Sequence, residues 1–324
     1  MDETLPLVFM ALMGAAILAY VVLDGYDLGV GMLMPAAERS EQDTMVASIG
    51  PFWDANETWL VLGIGLLLVA FPAAHGDILG ELYLPVAAML VGLMLRGVAF
   101  ELRIKAEGWH RELWNWLFWA GSTLASFAQG LMLGRYITGF QPGAGYWLFA
   151  LVVGASLCGG YVLLGATWLI LRTSGPLQQK SIAWAKWGLL WVALGVGLVS
   201  LGTPLVSETV REKWFSFPRL LFVSVLPLGS IAAWLFVWHS LRRSDIRPFL
   251  GAVAIFAIAF AGLAYSLFPY VIIDRMTIWE AAAHPSALIF VLVGTLIVLP
   301  FIVGYTVWAY GVFRGKTTAG DPYG

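Results

Sequence analysis

The chain has 324 residues, of which 60% are hydrophobic and 12% charged, with a mean hydropathy of +0.82. A water-facing surface needs roughly 25% charged residues, so half that share excludes a soluble globular protein and leaves an integral membrane protein. The net charge of −2 excludes a basic face for nucleic acid, and the single cysteine, Cys158, excludes an internal disulfide and a cysteine framework for zinc or iron–sulfur.

Taken in chain order, nine apolar runs are long enough to cross about 30 Å of hydrocarbon as helices. They lie near 5–33, 57–73, 78–100, 114–134, 146–171, 186–206, 220–241, 249–270 and 287–313. The acidic start Met1-Asp2-Glu3 and the length of the first run predict a retained span rather than a cleaved signal. The second run is the weakest, because Pro72 cuts it short and Asp54, Asn56 and Glu57 crowd its start. The longest joint, 34–56, is short, so residues 1–324 read as one all-α transmembrane domain without a soluble insertion.

Orientation follows from lysine and arginine, which are retained on the cytoplasmic side. The joints after spans 1, 3, 5 and 7, with the C-terminus, hold twelve of the 18 basic residues, from Arg39 to Lys316. The opposite joints hold Arg135, Arg211, Lys213, Arg219 and Arg275, and Arg96 lies inside span 3. The N-terminus is therefore expected outside and the C-terminus in the cytoplasm. Tryptophans at span ends, such as Trp109, Trp114, Trp184 and Trp187, read as interfacial anchors.

The densest ionisable group is Asp24-Gly25-Tyr26-Asp27 at the inner end of span 1, followed by Asp54-Ala55-Asn56-Glu57 at the start of span 2. Within each pair the acids are three apart and share a helix face. Span 3 brings Arg96 to the same level inside an apolar stretch, where a lone guanidinium is expensive and pairing is the remedy. Gly25, Gly29 and Gly31 allow a neighbouring helix to approach closely, which buries the acids between helices. This favours a charge network handling protons over plain interfacial placement. His75, His110, His239 and His284 stand in loops or at a span end, so no facing pair is available for a haem. Gly315-Lys316-Thr317 lacks the earlier glycine and the strand of a phosphate loop, and the sequon Asn56-Glu57-Thr58 falls on the expected cytoplasmic side.

In this order and spacing, several segments resemble subunit II of the bacterial cytochrome bd-type quinol oxidases, especially the short, cyanide-insensitive branch. They are Leu23 to Gly31, Gly50 to Leu60, Leu95 to Glu101, Gly165 to Leu169, Thr277 to Ala282 and Trp308 to Lys316. The resemblance implies nine helices built as two four-helix bundles plus one peripheral helix, in the bacterial inner membrane. It implies a partner subunit I carrying two b-type haems and one d-type haem. The complex would reduce dioxygen to water with quinol electrons and add to a proton gradient, with no haem in this chain. By position, Asp54 matches the family's acid in the cytoplasmic proton path, while Asp24, Asp27 and Arg96 match charged positions near it; Glu57 joins them from the residue pattern. Ala55 departs from a frequent glycine. The resemblance allows a structural quinone and a small third subunit without assigning residues to either. Two rivals use the same acids: a proton-coupled secondary transporter, which would show related halves with interrupted helices, and a scaffold whose acids only pair with arginine.

Overall fold

A computed structural model describes residues 3–317, which are almost entirely helical. Helix α1 (Thr4–Leu33) is closed by a 3-10 turn carrying Pro35. The 34–56 joint contains a helix that the apolar pattern did not predict, α2 (Arg39–Ile49), started by a capping box between Glu38 and Glu41. Helix α3 (Trp53–Ala70) and helix α4 (Pro72–Arg103) are separated by Phe71 alone. Pro72 excludes helical backbone at the residue before it and opens the next helix, so one proline both ends α3 and starts α4. Helices α5 (Gly108–Ile137), α6 (Ala144–Arg172) and α7 (Gly175–Val206) follow. Beyond them come the short α8 (Glu208–Phe215), α9 (Arg219–Val223), α10 (Val225–Ser240) and α11 (Ile246–Leu267).

The expected eighth span runs three residues too far. Its end at 268–270 belongs to a turn and a small antiparallel hairpin, β1 (Tyr270–Ile272) with β2 (Met276–Thr277). The all-α expectation is corrected to that extent; β-branched residues from 271 to 273 and Asp274 at φ 58° make the turn. One turn of helix, α12 (Ile278–Ala281), leads into α13 (Pro285–Val312).

Helices α1, α3, α4 and α5 pack as one group and α6, α7, α10 and α11 as a second, joined where α6 meets α1 and α5. Helix α13 stands apart, with Leu288 near its start and Ala309 near its end as its buried residues. Among the described residues, eight helical segments are long and apolar enough to cross a membrane, one fewer than the nine runs. The difference is α5. It is 30 residues long, but its buried face toward α1, α4 and α6 carries Ser122, Ser126, Gln129 and Arg135, of which Gln129 bonds side chains of α1 and α6.

All five segments expected on the cytoplasmic side meet at one end of the molecule. Lys180 bonds Glu38 and Glu41, each at 2.8 Å, and Arg39 bonds Glu112 at 2.8 Å. Asp43 accepts from buried Arg103 and from Arg111, while Lys316 and Gln178 share the Asp245 carboxylate. Desolvation pushes the Glu41 carboxyl up, but the Lys180 ammonium and the Glu38 amide outweigh it and hold the group below the usual carboxylate range. At the far end, Glu81 lies 3.9 Å from Arg135 and 3.6 Å from Arg275.

Candidate functional site

Three helices deliver the charged residues singled out from the sequence. Asp24 and Asp27 lie on α1, Glu57 on α3 and Arg96 on α4; Asp24, Asp27 and Arg96 are fully buried. Arg96 Nη2 donates to Asp24 Oδ1 at 2.7 Å and stands 3.8 Å from Asp27 Oδ2, while Nη1 donates to Glu57 Oε1. The indole of Trp53 covers the guanidinium, 5.4 Å from Cζ to the ring centroid. One planar fork thus reaches three carboxylates, a geometry that an ammonium cannot reproduce.

Glu57 is the member that opens outward, with its side chain 32% exposed. Asp54, one turn earlier on α3, lies outside the ion-paired group: it is exposed and makes no side-chain hydrogen bond or ion pair among the described residues. Residues three apart on a helix are about 60° out of line, enough to turn Glu57 toward Arg96 while Asp54 stays on the outer face. From the surface inward the charged side chains run Asp54, Glu57, then Arg96 with Asp24 and Asp27.

Neutral polar partners complete the interior. Asn56 Nδ2 donates to Asp27 Oδ2 at 2.8 Å and lies 2.9 Å from the Tyr26 hydroxyl, and its Oδ1 accepts from Tyr310 on α13 at 3.1 Å. The Tyr26 and Tyr310 hydroxyls are 2.5 Å apart. Tyr26 stacks on Trp168 of α6 with centroids 4.1 Å apart, which fixes the phenol from behind. On the other side of Asp24, the Tyr161 hydroxyl donates to Gln129 Oε1 at 2.6 Å, and Gln129 Nε2 donates to the Tyr20 hydroxyl at 2.8 Å. Tyr20 in turn faces the Asp24 carboxylate. The amide has one accepting and one donating end, so it sets the direction of the chain: each hydrogen points toward Asp24. A lone Gln in the apolar fourth run was the signal available in the sequence. Replacing Gln129 by Leu strands the buried Tyr161 hydroxyl and takes the donor from Tyr20, and thermal unfolding of the assembled protein should show a loss of about 1–3 kcal/mol.

Asp27 Oδ1 is buried without a hydrogen-bond partner among the described residues. Among the described residues, no group of three or more His, Cys, Asp or Glu side chains is placed to hold a metal ion. The histidines stand one each at the start of α4, the start of α5, the end of α10 and the N-cap of α13.

Comparison with known proteins bears on this arrangement. Residues 5–313 match the family described as cytochrome bd terminal oxidase subunit II. The chain is 29% identical to cytochrome bd-I ubiquinol oxidase subunit 2 of Escherichia coli (strain K12), over 98% of this chain and 97% of that one. It is 28% identical to cytochrome bd ubiquinol oxidase subunit 2 of Bacillus subtilis (strain 168), over 96% of each. The fold superposes on a chain of the bd oxidase from Geobacillus thermodenitrificans with a TM-score of 0.78 at 15% identity, covering 96% of this chain and 99% of that one. The family match spans nearly the whole chain, which therefore belongs to the cytochrome bd terminal oxidase subunit II family: multi-pass proteins of the bacterial cell membrane that stand beside a haem-bearing subunit I in a terminal quinol oxidase.

Proposed function

We propose that this chain supplies the cytoplasmic proton path of a quinol:dioxygen oxidoreductase and supports its partner without carrying haem itself. Two b haems and one d haem reside in subunit I, which takes electrons from quinol and reduces dioxygen to water. A small third subunit and a structural quinone are compatible with this assembly. Helix α5 is the ninth span, the N-terminus lies outside, and the end gathering α2, Lys180 and Lys316 faces the cytoplasm. That orientation is supported by the concentration of basic residues at that end.

The observation that carries the reading is the charge balance around Arg96. One guanidinium faces three carboxylates, a formal excess of two negative charges in a site where two members are sealed from solvent. Buried charge without a counterion is costly, so protons balance the excess and exchange through the one partly open member, Glu57. Asp54 receives them first. It sits on a stripe of α3 with Thr58, Val61 and Leu68, all exposed, so an acid stands on an otherwise uncharged face. An ionisable group there is better matched by a polar site on subunit I than by lipid.

In the two-subunit complex, Asp54→Asn should slow quinol-driven oxygen consumption by roughly a hundredfold, the lower end of what a positioned proton-transfer group contributes, with haem content unchanged. Normal turnover at normal haem content would remove Asp54 from the path.

A further inference from the structure

A second site lies away from the acids, at the same end of the molecule. Helices α7 and α10 part there to leave a cavity of about 330 Å³, at the small end of ligand sites, lined by Gln179, Lys186, Trp187, Leu190, Trp238 and Arg242. The lining Trp238 is held from behind: it stacks on Trp234 at 5.5 Å with the rings 8° from parallel, and Trp234 Nε1 donates to the Leu189 carbonyl at 2.9 Å. The Lys186 ammonium lies 5.9 Å from the Trp238 ring centroid. Neither Lys186 nor Arg242 has an acidic partner among the described residues, and nearby Asp245 is occupied by Gln178 and Lys316. Along α7, away from the cations, Leu190 and Leu194 are 49% and 63% exposed and form an apolar wall.

We propose that this cavity binds the phosphodiester headgroup of an anionic phospholipid. Two cations without counterions supply the charge complement, the tryptophan pair holds the level of the membrane interface, and the apolar wall takes an acyl chain. A free phosphate would meet the cations but leave that wall uncovered. The lipid would wedge between the two helices where they diverge and tie α10 to α7.

The test uses the two-subunit complex, delipidated in mild detergent and titrated with phosphatidylglycerol or phosphatidylcholine, with bound lipid counted by native mass spectrometry. Each cation near the surface strengthens anionic-lipid binding about 5-fold, so K186Q/R242Q should weaken the tightest phosphatidylglycerol site by roughly 30-fold and leave phosphatidylcholine unaffected. The charge-conserving K186R/R242K should retain the site. So should R243Q/R247Q, which removes equal charge from the neighbouring joint outside the cavity. Unchanged phosphatidylglycerol affinity in K186Q/R242Q, equal retention of phosphatidylcholine by the parent, or an equal loss in R243Q/R247Q would overturn the site. Displacement of the lipid by millimolar inorganic phosphate would assign the cations to a free anion and overturn the lipid.

Discussion

Arg96→Met is expected to destabilise the protein by about 3–5 kcal/mol, the cost of removing one partner from a buried ion pair and leaving the others uncompensated. Asp24, Asp27 and Glu57 would then face one another around an apolar side chain, with Asp24 and Asp27 sealed from water. The loss should appear as little or no haem-containing complex recovered from the membrane. Arg96→Lys should recover part of it, since an ammonium supplies the charge but cannot reach Asp24 and Glu57 with a planar fork. The informative companion replaces the whole cluster with neutral shapes: R96M with D24N, D27N and E57Q. Removing all members of a buried ionic group together is often nearly neutral for stability. This variant should therefore assemble with its haems and fail in turnover. Assembly with full turnover would reduce the cluster to a scaffold.

How far this site could be read without coordinates depends on residue type. Asp24, Asp27, Glu57 and Arg96 were legible because each is a charge within or beside an apolar run, where its cost demands a partner. Asn56 and Tyr310 were not, because neutral polar side chains are tolerated in spans and their pairing joins residues 254 apart in sequence. The Tyr161, Gln129 and Tyr20 chain was hidden for the same reason, being assembled from three different helices. Spacing put Asp54 and Glu57 on one face, yet the structure separates their surroundings, since a 60° offset suffices to place one at the surface and the other against Arg96. In the fold, apolar length located α1 within a residue or two but gave no sign of α2, whose 11 residues are mostly polar and depend on capping and on Lys180. Apolarity measured alone also undervalues α5, whose polar residues are turned toward neighbouring helices rather than toward lipid.

Gly29→Ala should be the most damaging of the small substitutions. A Cβ at Gly29 would lie 1.8 Å from the Tyr161 carbonyl oxygen and 2.9 Å from the Gly165 nitrogen, and one at Gly165 would lie 2.4 Å from the Gly29 carbonyl carbon. These neighbours are backbone, so no rotamer change relieves them. Ordinary carbon contacts sit near 3.5–4.0 Å, which requires α1 and α6 to separate by about 2 Å. That shift pulls Tyr26 from Trp168 and Tyr161 from Gln129, loosening the groups that hold Asp27 and Asp24 from either side. Overpacking of this kind costs about 1–3 kcal/mol or more, and G29A should lower both the melting temperature of the complex and its yield with bound haem. Gly25→Ala should be milder, because its added carbon meets the Tyr161 ring, a side chain that can shift. Gly80→Ala on α4, with nothing within 4 Å, should be silent. The order Gly29, Gly25, Gly80 is what a close α1–α6 crossing requires; a G29A protein as stable as G80A would show that the two backbones do not touch at this point.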